Sequence, residues 1–178
     1  MDEDLLLGSK PHNLLLFVAR YAREQKVNRI LIDGGSAVNI LPLRTLKELG
    51  IPMDELSNSR LMIQGFNQGA QRAIGVIRIE FLMDDMVSIA LFHVIDAKTS
   101  YNMLLSRPWL NANFVVPSIW LQRFKYCRNI TMKKVLGDNK PFTKVEAHFA
   151  DVKHYIDDAK KEKRFCPAKN QSHTIVKV

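Results

Sequence analysis

Residues 30–42 read ILIDGGSAVNILP. An apolar, β-branched run delivers one carboxylate, Asp33, straight into a turn that contains Gly34 and Gly35. Glycines let backbone amides approach a carboxylate closely, and Ser36, three positions on, can donate a hydroxyl hydrogen bond to it. An aspartate that closes an Asx-turn at a strand end would look the same, so the motif takes its meaning from its surroundings.

Immediately upstream, the apolar segments 13–19 (NLLLFVA) and 27–33 (VNRILID) flank the polar stretch 20–26, a pattern that predicts a β-hairpin ending at Asp33. Downstream of Pro42, LRTLKELG places Leu43, Leu46 and Leu49 on one helical face, and Gly50 followed by Pro52 is a stop signal. Strand-like segments follow at 60–64, 73–83 and 87–95, with the turn-rich GFNQG at 65–69 and a turn at Asp84 and Asp85. They are expected to form an antiparallel meander. A strand at 101–105, a turn of helix begun by Pro108, and a final hairpin of 119–126 with 130–136 complete the apolar pattern. From Thr143 onward Val145, Phe149, Val152, Tyr155 and Ile156 follow the 3.6-residue period of a helix, and the polar, basic run after Ala159 has no period. The expected organisation is an extension at 1–10, a β domain at 11–136, and a helix with a basic tail at 137–178.

The chain has 178 residues, 47% of them hydrophobic and 25% charged, enough for one ordinary core. No apolar run approaches the roughly 20 residues that cross a bilayer, and the start MDEDLLLGSK is acidic rather than basic, so the expectation is an intracellular, cytoplasmic chain without a membrane partner. Two cysteines, Cys127 and Cys166, stand 39 positions apart without a CxxC, which offers neither a disulfide framework nor a zinc ribbon. His148 and His154 are six apart, on different faces of a helix, and make a poor metal pair. The net charge of +8 is concentrated in residues 119–140, where six bases face one acid and Trp120, Phe124 and Tyr126 are interleaved. Such a segment can bind nucleic acid through phosphates and stacking, but a strand with one buried face produces the same alternation.

Two segments, 31–51 (LIDGGSAVNILPLRTLKELGI) and 92–110 (FHVIDAKTSYNMLLSRPWL), separated by the glycine-rich GFNQG, resemble the retropepsin-like aspartic protease domain of plant gypsy-class LTR retrotransposon polyproteins. The resemblance spans about residues 11–155. It implies a mainly β fold, a closed barrel of acid-protease type with a short helix, in which each chain is half of an active site. Asp33 then matches the catalytic aspartate, Gly34, Gly35 and Ser36 the active-site loop, and Gly65, Phe66, Asn67, Gln68 and Gly69 the flap over substrate. Leu104, Leu105, Ser106 and Arg107, with Met103, match the hydrophobic segment that supports the catalytic loop.

What the resemblance further implies is an aspartic endopeptidase acting as a homodimer on a polypeptide, its own polyprotein, without metal or cofactor. Asp84, Asp85, Asp96, Asp138 and Asp151 lack the glycine context, so two chains must each supply Asp33. Two carboxylates about 3 Å apart share one proton, and so provide a general base and a general acid. The chain departs from the family twice. Gly34 replaces the Thr or Ser whose hydroxyl braces the dimer, and Ser106 replaces a glycine, which would cost on the order of 1 kcal/mol if that position required positive φ. These departures motivate the alternative, a catalytically inactive module of the same fold that dimerises or binds nucleic acid.

Overall fold

The computed structural model describes residues 15–64 and 70–142. The expected extension at 1–10, the hairpin tip at 65–69 and the helix from Thr143 with its basic tail lie outside the described residues. Eleven strands, two short α-helices and one 3-10 turn (Met53–Glu55) are formed among the described residues. The hairpin before Asp33 is β1 (Phe17–Ala22) and β2 (Gln25–Asp33), with both strands reaching further into the polar stretch than the apolar pattern suggests. Arg23 and Glu24 both have positive φ, 45° and 67°, which gives the two-residue turn a twist that matches the strands.

β3 (Asn39–Pro42) leads into α1 (Leu43–Glu48), as LRTLKELG predicts; Leu46 and Leu49 are buried, and Gly50 ends the helix at φ 65°. The strand expected at 73–83 is present as one strand from Gly75. β4 (Met62–Gln64) and β5 (Ala70–Arg72) pair in a separate two-stranded sheet, whereas β6 (Gly75–Met83) pairs along its whole length with β7 (Met86–Ile95). The expected single meander is therefore two hairpins. β6 and β7 alternate buried and outward-facing side chains, the signature of a sheet with one face on the core.

β8 (Met103–Ser106) passes directly into α2 (Arg107–Ala112), which opens with Pro108 in its first turn. β9 (Val115–Ser118), β10 (Arg123–Arg128) and β11 (Thr131–Leu136) form a three-stranded antiparallel sheet. The β10–β11 hairpin is the expected one; β9, at the sheet edge, is an addition to it.

Six strands close into a barrel in the order β1, β2, β8, β3, β7, β6, with β6 returning to β1. Two of its contacts are parallel, β2 with β8 and β3 with β7. The barrel interior is filled by Val18, Ile30, Ile32, Leu41, Ile79, Phe92 and Leu105 among others, each contributing about 1.5–3 kcal/mol on burial. Trp109 closes one end: its indole Nε1–H donates to Ser88 Oγ at 2.8 Å, and its ring lies 5.6 Å from Phe81 and 6.2 Å from Phe124. After β11 the chain returns to β1 through Asp138 N–H on Phe17 O at 2.7 Å and the Phe142 ring against Phe17 at 5.4 Å.

Candidate active site

Asp33 is the last residue of β2, partly exposed, at the point where the strand leaves the barrel. Its two carboxylate oxygens are held separately. Oδ1 accepts from the Gly35 amide at 2.8 Å and Oδ2 from the Ser36 hydroxyl at 2.5 Å. A Cβ on Gly35 would sit 3.2 Å from Asp33 Oδ1, so glycine is what lets this amide approach so closely. Gly34 is different: a Cβ there would meet only Leu110 Cδ1, at an ordinary 3.6 Å. Gly34 and Gly35 are both exposed.

The loop rests on the β8–α2 junction. Asp33 is in parallel register with Ser106, and the Arg107 amide donates to Ser36 O at 3.2 Å. Ser106 is fully buried with φ −103°, an extended conformation any residue adopts, so a serine here carries no backbone strain. The conditional cost attached to a positive φ does not arise. Instead, the Ser106 amide and hydroxyl both donate to Asn39 Oδ1, each at 2.8 Å, while Asn39 Nδ2 donates to Leu91 O at 2.9 Å. One buried side-chain amide thereby ties β3, β7 and β8 together behind the loop. The sequence reading did not single out Asn39, whose partners lie 67 and 52 positions away.

The remaining support residues divide between the two sides of the barrel wall. Leu105 points into the main core; Leu104 joins Phe17, Leu31, Ile40 and Ile95 in a second apolar cluster. Arg107 is exposed at the start of α2. Gly65, Phe66, Asn67, Gln68 and Gly69, expected as the flap, lie outside the described residues, and the strands on either side of them are paired through Gln64 and Ala70.

A second group missed in the sequence surrounds the 99–102 segment. Arg44 Nη2 donates to Thr99 O at 2.9 Å and Tyr101 O at 2.8 Å, and contacts Asn102 Oδ1 at 3.1 Å. Burial, with the Asp33 charge adding to it, pushes the Tyr101 phenol up to about 12. No group of His, Cys, Asp and Glu among the described residues is arranged to hold a metal ion. No helix among them is long and apolar enough to cross a membrane.

In the basic segment, the aromatic alternation is a half-buried strand. Phe124 and Tyr126 are 0% and 1% exposed, so neither ring is free to stack on a base; Trp120 is half exposed. Lys133 pairs with Asp85, and Lys125 stands directly opposite Lys134.

No protein-family model matches the chain, and no curated protein matches it. Solved structures do. The retroviral protease-like domain of Ddi1 from Leishmania major aligns with a TM-score of 0.54 at 17% identity, over 71% of this chain and 98% of that one. A retropepsin-like aspartic protease from Rickettsia conorii aligns at 0.47 and 15%, over 58% and 76%. The EIAV protease complexed with the inhibitor HBY-793 aligns at 0.44 and 15%, over 60% and 90%. At such identities the likeness concerns the backbone, and together with the closed six-stranded barrel it shows that the chain has the retropepsin-like fold.

Proposed function

We propose that the chain is an aspartic endopeptidase that works as a homodimer, each protomer supplying one Asp33. The observation that carries this reading is the Asp33 carboxylate itself. Each oxygen takes one hydrogen bond from the chain's own loop, at the mouth of a barrel whose wall fixes that loop through Ser36, Ser106 and Asn39. Such a carboxylate is preorganised, partly exposed and lacks a second acid in its own chain in a matching context.

In the dimer, Asp33 and Asp33 of the partner subunit share one proton, since like charges at about 3 Å cannot both ionise. The ionised member removes a proton from a water between them. The water oxygen bonds to the scissile carbonyl carbon while the protonated member donates its proton to the carbonyl oxygen. As the tetrahedral diol collapses, one diol hydroxyl gives its proton to the ionised member and the C=O reforms, the C–N bond breaks, and the leaving nitrogen takes the proton of the other member, so that the dyad again holds one proton. The hairpin at 65–69 serves as the flap, and the matched segments 31–51 and 92–110 favour a retrotransposon polyprotein as the polypeptide substrate.

Cleavage of an unstructured peptide library between pH 4 and 7 tests the reading. Wild-type chain should cut and Asp33→Asn should not; cleavage retained by Asp33→Asn would exclude this site as the catalytic one. Silence from a folded wild-type dimer would support the inactive module.

A further inference from the structure

The three-stranded sheet has a face that the barrel does not use. Val115, Phe124, Tyr126 and Val135 turn toward the main core, so their neighbours along each strand turn away from it. The register sets those neighbours in rows: Lys125 lies between Val116 and Lys134, Cys127 is opposite Met132, and Arg123 lies between Ser118 and Leu136. Val116, Met132 and Leu136 are 66%, 60% and 62% exposed, whereas Arg123, at the end where the chain leaves β11, is buried. Lys125 and Lys134 are like charges directly opposite one another, an arrangement that costs stability unless acids stand over it. The face is apolar and basic at once.

The chain itself carries the complement. Residues 143–158 (TKVEAHFADVKHYIDD), outside the described residues, hold four acids and two bases, against six bases and one acid in 119–140. On a helix Val145, Phe149, Val152 and Ile156 form one apolar stripe, with Glu146 and Asp157 along one side and Asp151 along the other. The connection is short. The Gly137 amide donates to Gln122 O at 2.8 Å, the Asp138 amide to Phe17 O at 2.7 Å, and the Phe142 ring packs on Phe17. The chain therefore stays beside the Arg123 end of the sheet up to the residue before Thr143. From there a helix of residues 143–156 reaches about 21 Å, and the six-residue strands β10 and β11 are about 20 Å long.

We propose that residues 143–158 dock as an amphipathic helix across the outer face of the three-stranded sheet of their own chain. The apolar stripe covers Val116, Met132 and Leu136, and the flanking acids stand over Lys125 and Lys134. The basic segment then holds the chain's own acidic segment and offers a nucleic-acid backbone no open track.

Amide hydrogen exchange of the full chain tests this, with the β6–β7 amides as the control for an intact barrel. In wild type the amides of 143–156 should exchange at least about tenfold more slowly than unstructured chain, at a rate independent of protein concentration. Val116→Asp on the sheet and Phe149→Asp in the segment should each abolish that protection, and Lys134→Glu should weaken it about two- to tenfold. Exchange of 143–156 at the unstructured rate in wild type would overturn the proposal. Protection unchanged in Lys134→Glu would overturn it as well, even if Val116→Asp failed to fold. So would protection that rises with protein concentration, which assigns the face to the segment of a second copy. Salt-sensitive binding of a single-stranded oligonucleotide that Lys134→Glu weakens, in a chain unprotected at 143–156, would give the face to nucleic acid instead.

Discussion

Replacing Asn39 with Ala removes the acceptor for both Ser106 donors and the donor to Leu91 O, all within a buried site. Buried polar groups left without partners cost about 1–3 kcal/mol each, so Asn39→Ala should destabilise the protein by about 2–4 kcal/mol, read as a lower urea midpoint. An unchanged midpoint would show that the three strands do not depend on this amide. The contrast with Asp33 explains what a sequence discloses at this scale. The donors to Asp33 lie two and three positions away, so their geometry follows from a local turn, whereas Asn39 finds its partners only after the barrel closes. Tyr101 and Arg44, 57 positions apart, were hidden for the same reason.

Among the elements, the β10–β11 turn carries the clearest local strain. Asn129 and Ile130 have φ of 49° and 66°, and Ile130 is 98% exposed, so a β-branched side chain occupies a left-handed position without any packing in return. Ile130→Gly creates the Asn-Gly pair suited to this turn and should stabilise the fold by about 1 kcal/mol, seen as a raised melting temperature. A lowered one would contradict the strain. Strong local chemistry made α1 and the β1–β2 hairpin legible: leucines at helical spacing before Gly50, and apolar runs around a polar turn. β9 was not legible because Pro117 argues against a strand; at a sheet edge, opposite Phe124, its missing N–H costs no ladder bond to a further strand. The short β4–β5 pairing was also unreadable, since it sets residues 70–72, ahead of the expected strand at 73–83, opposite Met62–Gln64.

For the whole molecule, the proposed activity makes acid tolerance and assembly the properties to test. Asp85, in the β6–β7 turn, accepts hydrogen bonds from Lys133 and Tyr126 of the three-stranded sheet and is held down to about 2 from its ordinary 3.8. Because the folded value lies below the unfolded one, the contribution is complete above about pH 4 and is lost as pH falls through about 2. Asp85→Asn should therefore lower stability at neutral pH and flatten the decline between pH 4 and 2, measured by urea titration at each pH; parallel curves would exclude the link. Within its own chain Gly34 has room for a Cβ, so in the proposed dimer Gly34→Thr can supply the bracing hydroxyl that the resemblance implies. It should tighten dimerisation about two- to tenfold by analytical ultracentrifugation, and weaker assembly would show that the loops do not meet there.

The central claim is that one chain holds half of a catalytic site. The most direct measurement is the cleavage rate of a fixed amount of wild-type chain titrated with Asp33→Asn chain. If two Asp33 carboxylates from different protomers form the dyad, the mutant chain captures wild-type partners in dead heterodimers and the rate falls steadily as it is added. A rate proportional to wild-type concentration and indifferent to the Asp33→Asn chain would contradict the account.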